Sequence, residues 1–223
     1  MILCIGNVLD ANALAALRRL IDGERFSDGQ ATVGWAAASV KHNEQLRGDA
    51  PAYDQIRQTL AQVLAASELF MLAAAPKRMR PMMISRYRTG MGYGTHVDNA
   101  LMGEQEKMRS DLSFTLFLSE PEAYEGGELV IDDIGGESSY KLPAGSMVLY
   151  PSTTLHRVET VTSGERLVAV GWLQSMVRDA SQRALLFDLE TVRRELFAAG
   201  GKSKQFDTLS KCTSNLWRMW AEL

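Results

Sequence analysis

With 223 residues, 46% of them hydrophobic, and a formal net charge of -3, the chain can build one core with a modest extension, and a second full domain would be hard to fit. Acidic and basic residues are interspersed, so no basic stripe points to nucleic acid. Cys4 and Cys212 have neither zinc-ligand spacing nor the dense pairing of a secreted scaffold, which favours a reducing, cytoplasmic setting.

The apolar run at residues 1–5 lacks a basic leader and is too short for a signal peptide or a membrane span; it reads as a buried first strand. Asp10 then precedes Leu14, Leu17, Leu20 and Ile21 at helical spacing, with Gly23 as a stop, and this predicts a short amphipathic helix. Residues 26–40, rich in Gly and Ala without a period, read as loop plus irregular strand. A second helix is predicted from Pro51 to about Phe70, with Ile56, Leu60, Val63 and Leu64 on one face; Pro76 and Pro81 end the helical part.

From residue 82 to 173 the texture changes to short runs of β-branched and aromatic residues broken by Gly, Pro, Ser and Asp. The predicted strands are 83–87, 112–119, 128–131, 140–142, 146–150, 156–161 and 166–173, which suits a β-sandwich or barrel of jelly-roll type. After Val177 a helix places Leu185, Leu189, Val192 and Leu196 on one face, adds a Glu190–Arg194 pair, and stops at Gly200-Gly201. A last helix from Phe206 to Trp220 presents Phe206, Leu209, Leu216 and Trp220, and both helices are expected on the outside of the barrel. Exposed apolar positions in these helices would suit a homodimer, and Trp217 and Trp220 read as core anchors or as part of a subunit contact. The expected organisation is mainly β with flanking helices: residues 1–77 pack on the core, 78–174 form the β-rich central domain, and 175–223 are a helical extension.

Of the three histidines, His96 and His156 lie in the β-rich block. His96 and Asp98 are two apart, so in an extended chain they point to one face and can reach one ion; His156, near the start of a later strand, could complete the set. Two imidazoles and one carboxylate leave coordination positions open and suit non-haem iron(II) oxygenases. An arbitrary H-x-D with a distant His is ordinarily a local hydrogen-bonded pair plus a core histidine, so the surrounding residues decide. Arg166 follows His156 by ten positions, across an expected hairpin with its tip at Thr162-Ser163-Gly164. A three-residue loop would set Thr160 opposite Arg166 and His156 opposite Val170, so that Arg166 and His156 face one interior roughly 13 Å apart along the ladder. From there a guanidinium could grip the far carboxylate of a five-carbon diacid. Tyr87 and Tyr93 frame a Y-x-x-G-x-x-Y run ahead of His96; the Tyr87 hydroxyl could donate to the same carboxylate, or both rings could simply be packing. The long polar stretch from Asp98 to Ser113, with Asn99, Met102, Glu104, Lys107 and Arg109, is either a substrate lid or a plain surface connection.

These residues belong to longer matches. YRTGMGYGTHVD, EGGELVI and LPAGSMVLYPSTTLHRVETVTSGERLVAVGW together resemble the prolyl 4-hydroxylase-like branch of the iron/2-oxoglutarate dioxygenases, and more narrowly the bacterial PKHD-type hydroxylases linked to iron uptake. The likeness extends over nearly the whole chain, including an early VKHNEQL segment and the terminal helices. It implies a double-stranded β-helix core, Fe(2+) on His96, Asp98 and His156, and 2-oxoglutarate on Arg166, with Tyr87 carried over from the wider branch. It also implies decarboxylation of 2-oxoglutarate to succinate and carbon dioxide coupled to hydroxylation. The substrate would be a small molecule or a peptide, a siderophore among the candidates, and L-ascorbate, where the family depends on it, would keep the iron ferrous. Three rival readings stay open at this point: a non-catalytic iron or 2-oxoglutarate sensor on the same barrel, a zinc hydrolase with the same ligands, and a partner-binding module.

Overall fold

The computed structural model describes residues 1–32 and 38–223. Its strands in chain order are β1 (Leu3–Ile5), β2 (Phe26–Asp28), β3 (Lys41–His42), β4 (Glu44–Leu46), β5 (Pro76–Met79), β6 (Met83–Arg88), β7 (Gly92–His96) and β8 (Leu101–Met102). They continue with β9 (Met108–Arg109), β10 (Leu112–Phe117), β11 (Tyr124–Gly126), β12 (Leu129–Asp133), β13 (Gly136–Tyr140), β14 (Met147–Pro151), β15 (Leu155–Val158) and β16 (Val161–Ser175). The helices are α1 (Ala11–Ile21), α2 (Tyr53–Ala66), α3 (Glu68–Ala74), α4 (Ala180–Gly200) and α5 (Lys204–Trp220).

Helix α1 starts where expected because the Asp10 carboxylate accepts from the Ala13 N–H at 2.7 Å, and it buries Leu17 and Ile21. The predicted second helix is in fact two. The backbone is extended at Ser67, and the chain restarts as α3, which carries Phe70 edge-on against Phe114 with ring centroids 5.7 Å apart. Ala75 in the left-handed region and Pro76 then end helix and begin β5. Of the 26–40 stretch, β2 and a 3-10 turn (Gly29–Thr32) fit the irregular reading, while 33–37 lie outside the described residues.

Among the described residues two sheets face each other as a jelly roll. The larger runs β1-β14-β10-β16-β6-β4-β2, with β11 and β5 also on β16; the smaller runs β13-β12-β15-β7-β3. Every residue of β10 is buried because both faces of the large sheet are covered. Phe114, Leu116, Leu167 and Ala169 join the helices in one apolar cluster, while Phe117, Val148 and Val168 join Leu129, Ile131 and Val158 of the small sheet in another. Strands β3 and β4, absent from the expectation, link the sheets: Lys41 pairs with Tyr93 of β7, and Gln45 pairs with Ser85 of β6, so the chain crosses between sheets at Asn43.

Three further expectations are corrected. The hairpin between His156 and Arg166 does not form. β15 pairs instead with β12 and β7, and β16 runs unbroken from Val161, because Ser163 and Gly164 find partners in Glu125 and Tyr124 of β11. Tyr87, not Thr160, stands opposite Arg166. The strand expected at 140–142 occupies Gly136–Tyr140, where it pairs residue for residue with β12. On α4, Leu185, Val192 and Leu196 are 45%, 46% and 36% exposed, while Arg183, Leu186 and Glu190 are buried. The polar members tolerate burial because Arg183 donates to the carbonyls of Val177 and Arg178, and Glu190 accepts from Arg193 and from Arg194, the expected pair, the latter at 2.9 Å. In α5, Phe206 packs on Phe197 with centroids 5.2 Å apart, and Thr213 is the buried residue of the helix. Among the described residues no helix is long and apolar enough to cross a membrane.

Candidate metal centre

A cavity of about 1050 Å³, open to solvent on one side, is lined by His96, Asp98, His156, Arg166, Tyr87 and Trp172 among others. His96 ends β7 and His156 lies in β15; these strands are neighbours, and the two histidines stand directly opposite each other. Between this pair and the next, Val158 with Tyr93, the register shifts by one residue. That irregularity lets Tyr93 and His96, three apart, share a face. Their rings stack with centroids 3.6 Å apart and planes 15° from parallel.

Each of His96, Asp98 and His156 offers one ligand atom, and these atoms lie within 4.8 Å of one another. The histidine rings are 4.2 Å apart, and Nε2 of His156 is 3.9 Å from the Asp98 carboxylate. Nδ1 of His96 bonds the Gly94 carbonyl at 2.9 Å, and Nδ1 of His156 bonds that of Thr154 at 3.1 Å. A carbonyl can only accept, so each Nδ1 carries the proton and each Nε2 keeps its lone pair for a cation. Burial, and then the neighbouring His156, pull the His96 pKa down to about 4, so the ring is neutral, as a ligand must be. Oδ2 of Asp98 accepts from Ser113 Oγ at 2.5 Å, and Ser113 is bonded in turn to Ser152 at 2.7 Å. Tyr150 packs edge-on against His156 at 5.2 Å. Two nitrogen donors and one oriented carboxylate are a donor set that suits iron(II).

Arg166 is 1% exposed, and its Nε and Nη1 meet no hydrogen-bond acceptor among the described residues. A buried guanidinium with open donors calls for an anion. The rings of Tyr87 and Phe117 flank its Cζ at 5.1 and 5.5 Å. Gly127 makes room for it: the backbone there has φ +67, and a Cβ would come within 3.1 Å of Arg166 Cδ. Tyr87 is buried and its pKa is raised by that burial, so the phenol keeps its proton. Arg166 and His156 therefore do line one cavity, through pairing with Tyr87 rather than through a shared hairpin.

Sequence reasoning did not single out Ser113, Ser152, Tyr150, Lys41 or Asn43. Lys41 is 3% exposed, with its Nζ 5.3 Å from the Tyr93 ring centre, and burial lowers its pKa to about 8 against the pull of Asp98 and Asp28. The polar stretch after Asp98 holds the β8–β9 hairpin; Asn99, Met102 and Glu104 line the cavity, whereas Arg109 turns to Asp111 and Glu222.

A family model described as the 2OG-Fe(II) oxygenase superfamily matches residues 82–174. A PKHD-type hydroxylase of Crocosphaera subtropica is 52% identical over 222 residues, covering 100% of both chains. Among solved structures, a prolyl-4-hydroxylase of Pseudomonas putida superposes with a TM-score of 0.55 at 22% identity, covering 78% of this chain and 92% of that one. A prolyl hydroxylase of Trichoplax adhaerens, in complex with a hypoxia inducible factor oxygen degradation domain peptide fragment, does so with a TM-score of 0.53 at 16% identity, covering 82% and 86%.

Proposed function

The chain belongs to the PKHD-type hydroxylases within the 2OG-Fe(II) oxygenase superfamily, and from that premise we propose how its side chains divide the work of an iron(II)- and 2-oxoglutarate-dependent dioxygenase. His96, Asp98 and His156 hold the ferrous ion, and Arg166, with Tyr87 beside it, anchors the distal carboxylate of 2-oxoglutarate. The observation that carries this reading is a set of three ligand atoms within 4.8 Å of one another, in the same cavity as a buried guanidinium with open donors.

When bound, the iron and 2-oxoglutarate supply the oxidising power: oxygen and the oxo acid are consumed, succinate and carbon dioxide leave, and one oxygen atom ends as a hydroxyl on a substrate carbon. The chain's own residues orient and exclude. The Gly94 and Thr154 carbonyls fix the imidazoles, Ser113 fixes the carboxylate, and Tyr93 and Tyr150 pack on the rings. Arg166, itself buried, donates two parallel charge-assisted bonds to a carboxylate.

The hydroxylated substrate is a small molecule or a peptide, which a cavity of about 1050 Å³ can admit. A siderophore, and with it a role in iron uptake, is the specific candidate. L-ascorbate would maintain the ferrous state, the cytoplasm is the compartment that suits the thiols of Cys4 and Cys212, and the apolar stripe on α4 suits a homodimer.

The test is succinate formation with iron and 2-oxoglutarate, followed by a screen of siderophores and cell extracts for a mass gain of one oxygen. Steady turnover is expected, and its absence would favour a sensor. His96→Ala and Asp98→Ala should abolish turnover while the protein stays folded; unfolding of both would point to a structural triad. Arg166→Ala should raise the 2-oxoglutarate requirement at least about tenfold, the scale of one lost charge-assisted bond. An unchanged requirement would remove Arg166 as the anchor.

A further inference from the structure

Where residues 41–46 cross from one sheet to the other, the inward positions are Lys41, Asn43 and Gln45, which are 3%, 2% and 6% exposed and all line the cavity. Consecutive polar side chains on a buried wall are costly unless they are hydrogen-bonded or face a polar ligand. Asn43 is the informative member. The β4–β6 pairing of Gln45 with Ser85 and Glu44 with Arg86, carried one residue further, brings Asn43 alongside Tyr87, where its carboxamide favours the phenol oxygen electrostatically, yet its Oδ1 is buried with no hydrogen-bond partner among the described residues. That oxygen is turned against Gly29, where even a methyl group would overlap it. With the oxygen turned to Gly29, the group left to face Tyr87 is the amide Nδ2–H. A phenol has one proton to give and lone pairs with which to accept. If its oxygen accepts from Asn43, its proton remains available to another acceptor.

We propose that Asn43 is a positioning residue for the co-substrate: by donating to the Tyr87 oxygen it turns the Tyr87 proton into the cavity, toward the carboxylate that Arg166 binds. This rests on the reading of Arg166 as the anchor of that carboxylate. The geometry agrees with it in two ways. Tyr87 stands directly opposite Arg166 on neighbouring strands, so phenol and guanidinium share a face. Gly29 leaves room for the carboxamide oxygen on the far side, which holds the amide in the donating orientation. The determinant therefore lies upstream of the 82–174 stretch that the family model matches.

The test is calorimetric titration of 2-oxoglutarate into the Mn(II)-loaded full-length protein under nitrogen. Asn43→Asp offers the Tyr87 proton an acceptor and should weaken binding about tenfold, as should Tyr87→Phe, each being the loss of about one hydrogen bond to a charged group. The double variant should bind no more than about twofold more weakly than Tyr87→Phe alone, because both changes remove the same interaction. Mn(II) affinity should be unchanged throughout, which a general loss of the wall would not allow. Gly29→Ala, acting from outside the cavity, should push the carboxamide aside and weaken 2-oxoglutarate severalfold; it also serves if Asn43→Asp does not fold. Wild-type affinity in both Asn43→Asp and Gly29→Ala, or a full tenfold loss from Asn43→Asp that persists in the Tyr87→Phe background, would overturn the proposal. Arg166→Ala run alongside separates the layers. If it too binds normally, the anchor reading itself is wrong; if it alone loses binding, only the role of Asn43 is.

Discussion

The two faces of the large sheet carry opposite kinds of side chain on the same strands. On β10, Leu112 and Leu116 belong to the apolar cluster beneath the helices, while Ser113 and Thr115, one step away, line the cavity. On β16, Leu167 and Ala169 belong to the apolar face and Arg166 to the other. Side chains alternate across a strand, so packing and chemistry are separated here by a single residue rather than by distance in the chain. Mutational effects should therefore sort by parity.

The strongest blow to that contrast would come from the helix-facing side. Leu116→Ala, at a fully buried position on the helix side, should cost about 2–5 kcal/mol of stability in urea unfolding, as leucine truncations in packed cores do, while the folded fraction keeps its metal affinity. A parallel loss of metal binding would show the two faces to be coupled. Acid provides a smaller and opposite probe. In the metal-free protein the His96 pKa is held at about 4 against an ordinary 6.5. Between those values the unfolded chain takes up a proton that the folded chain refuses, so stability should fall as pH drops from 6.5 and level off near 4. The loss attributable to this residue is at most about 3 kcal/mol, and it should be missing from His96→Gln when the two are compared by denaturation across that range. An identical slope in the variant would show that the ring is not held neutral. Smallest should be Ser113→Ala, which removes the donor to Asp98 and leaves the apolar face untouched. Metal affinity should drop about 10- to 100-fold, as for outer hydrogen bonds to metal ligands, with stability changed by no more than about 1 kcal/mol. A large fall in stability with metal affinity intact would reverse the assignment.

How much of this was legible in the sequence follows the same alternation. Helix α1 and the strands around Ile84, Phe114 and Val148 could be read because apolar residues recur with the period of the element. The triad and Arg166 stood out because histidines are scarce and Asp98 lies one strand repeat from His96. Strands β3 and β4 were missed because their inward residues are Lys41, Asn43 and Gln45, the reverse of the usual pattern. Thr162-Ser163-Gly164 imitates a turn, yet pairing with β11 absorbs it into β16. On α4, buried Arg183 and Glu190 and exposed Leu185 and Val192 invert the usual rule, since local hydrogen bonds make the charged residues good inner neighbours. Periodicity reports which residues are apolar; it does not report which polar ones are satisfied.

The short crossing at 41–46 has a consequence for anyone wishing to trim this protein. A fragment cut to residues 82–174 would retain the ligand triad and Arg166, but it would be a cup with a split side. Solvent could enter next to Tyr87 and Tyr93, and two β-edges normally covered by β3 and β4 would be bare and prone to pair with other chains.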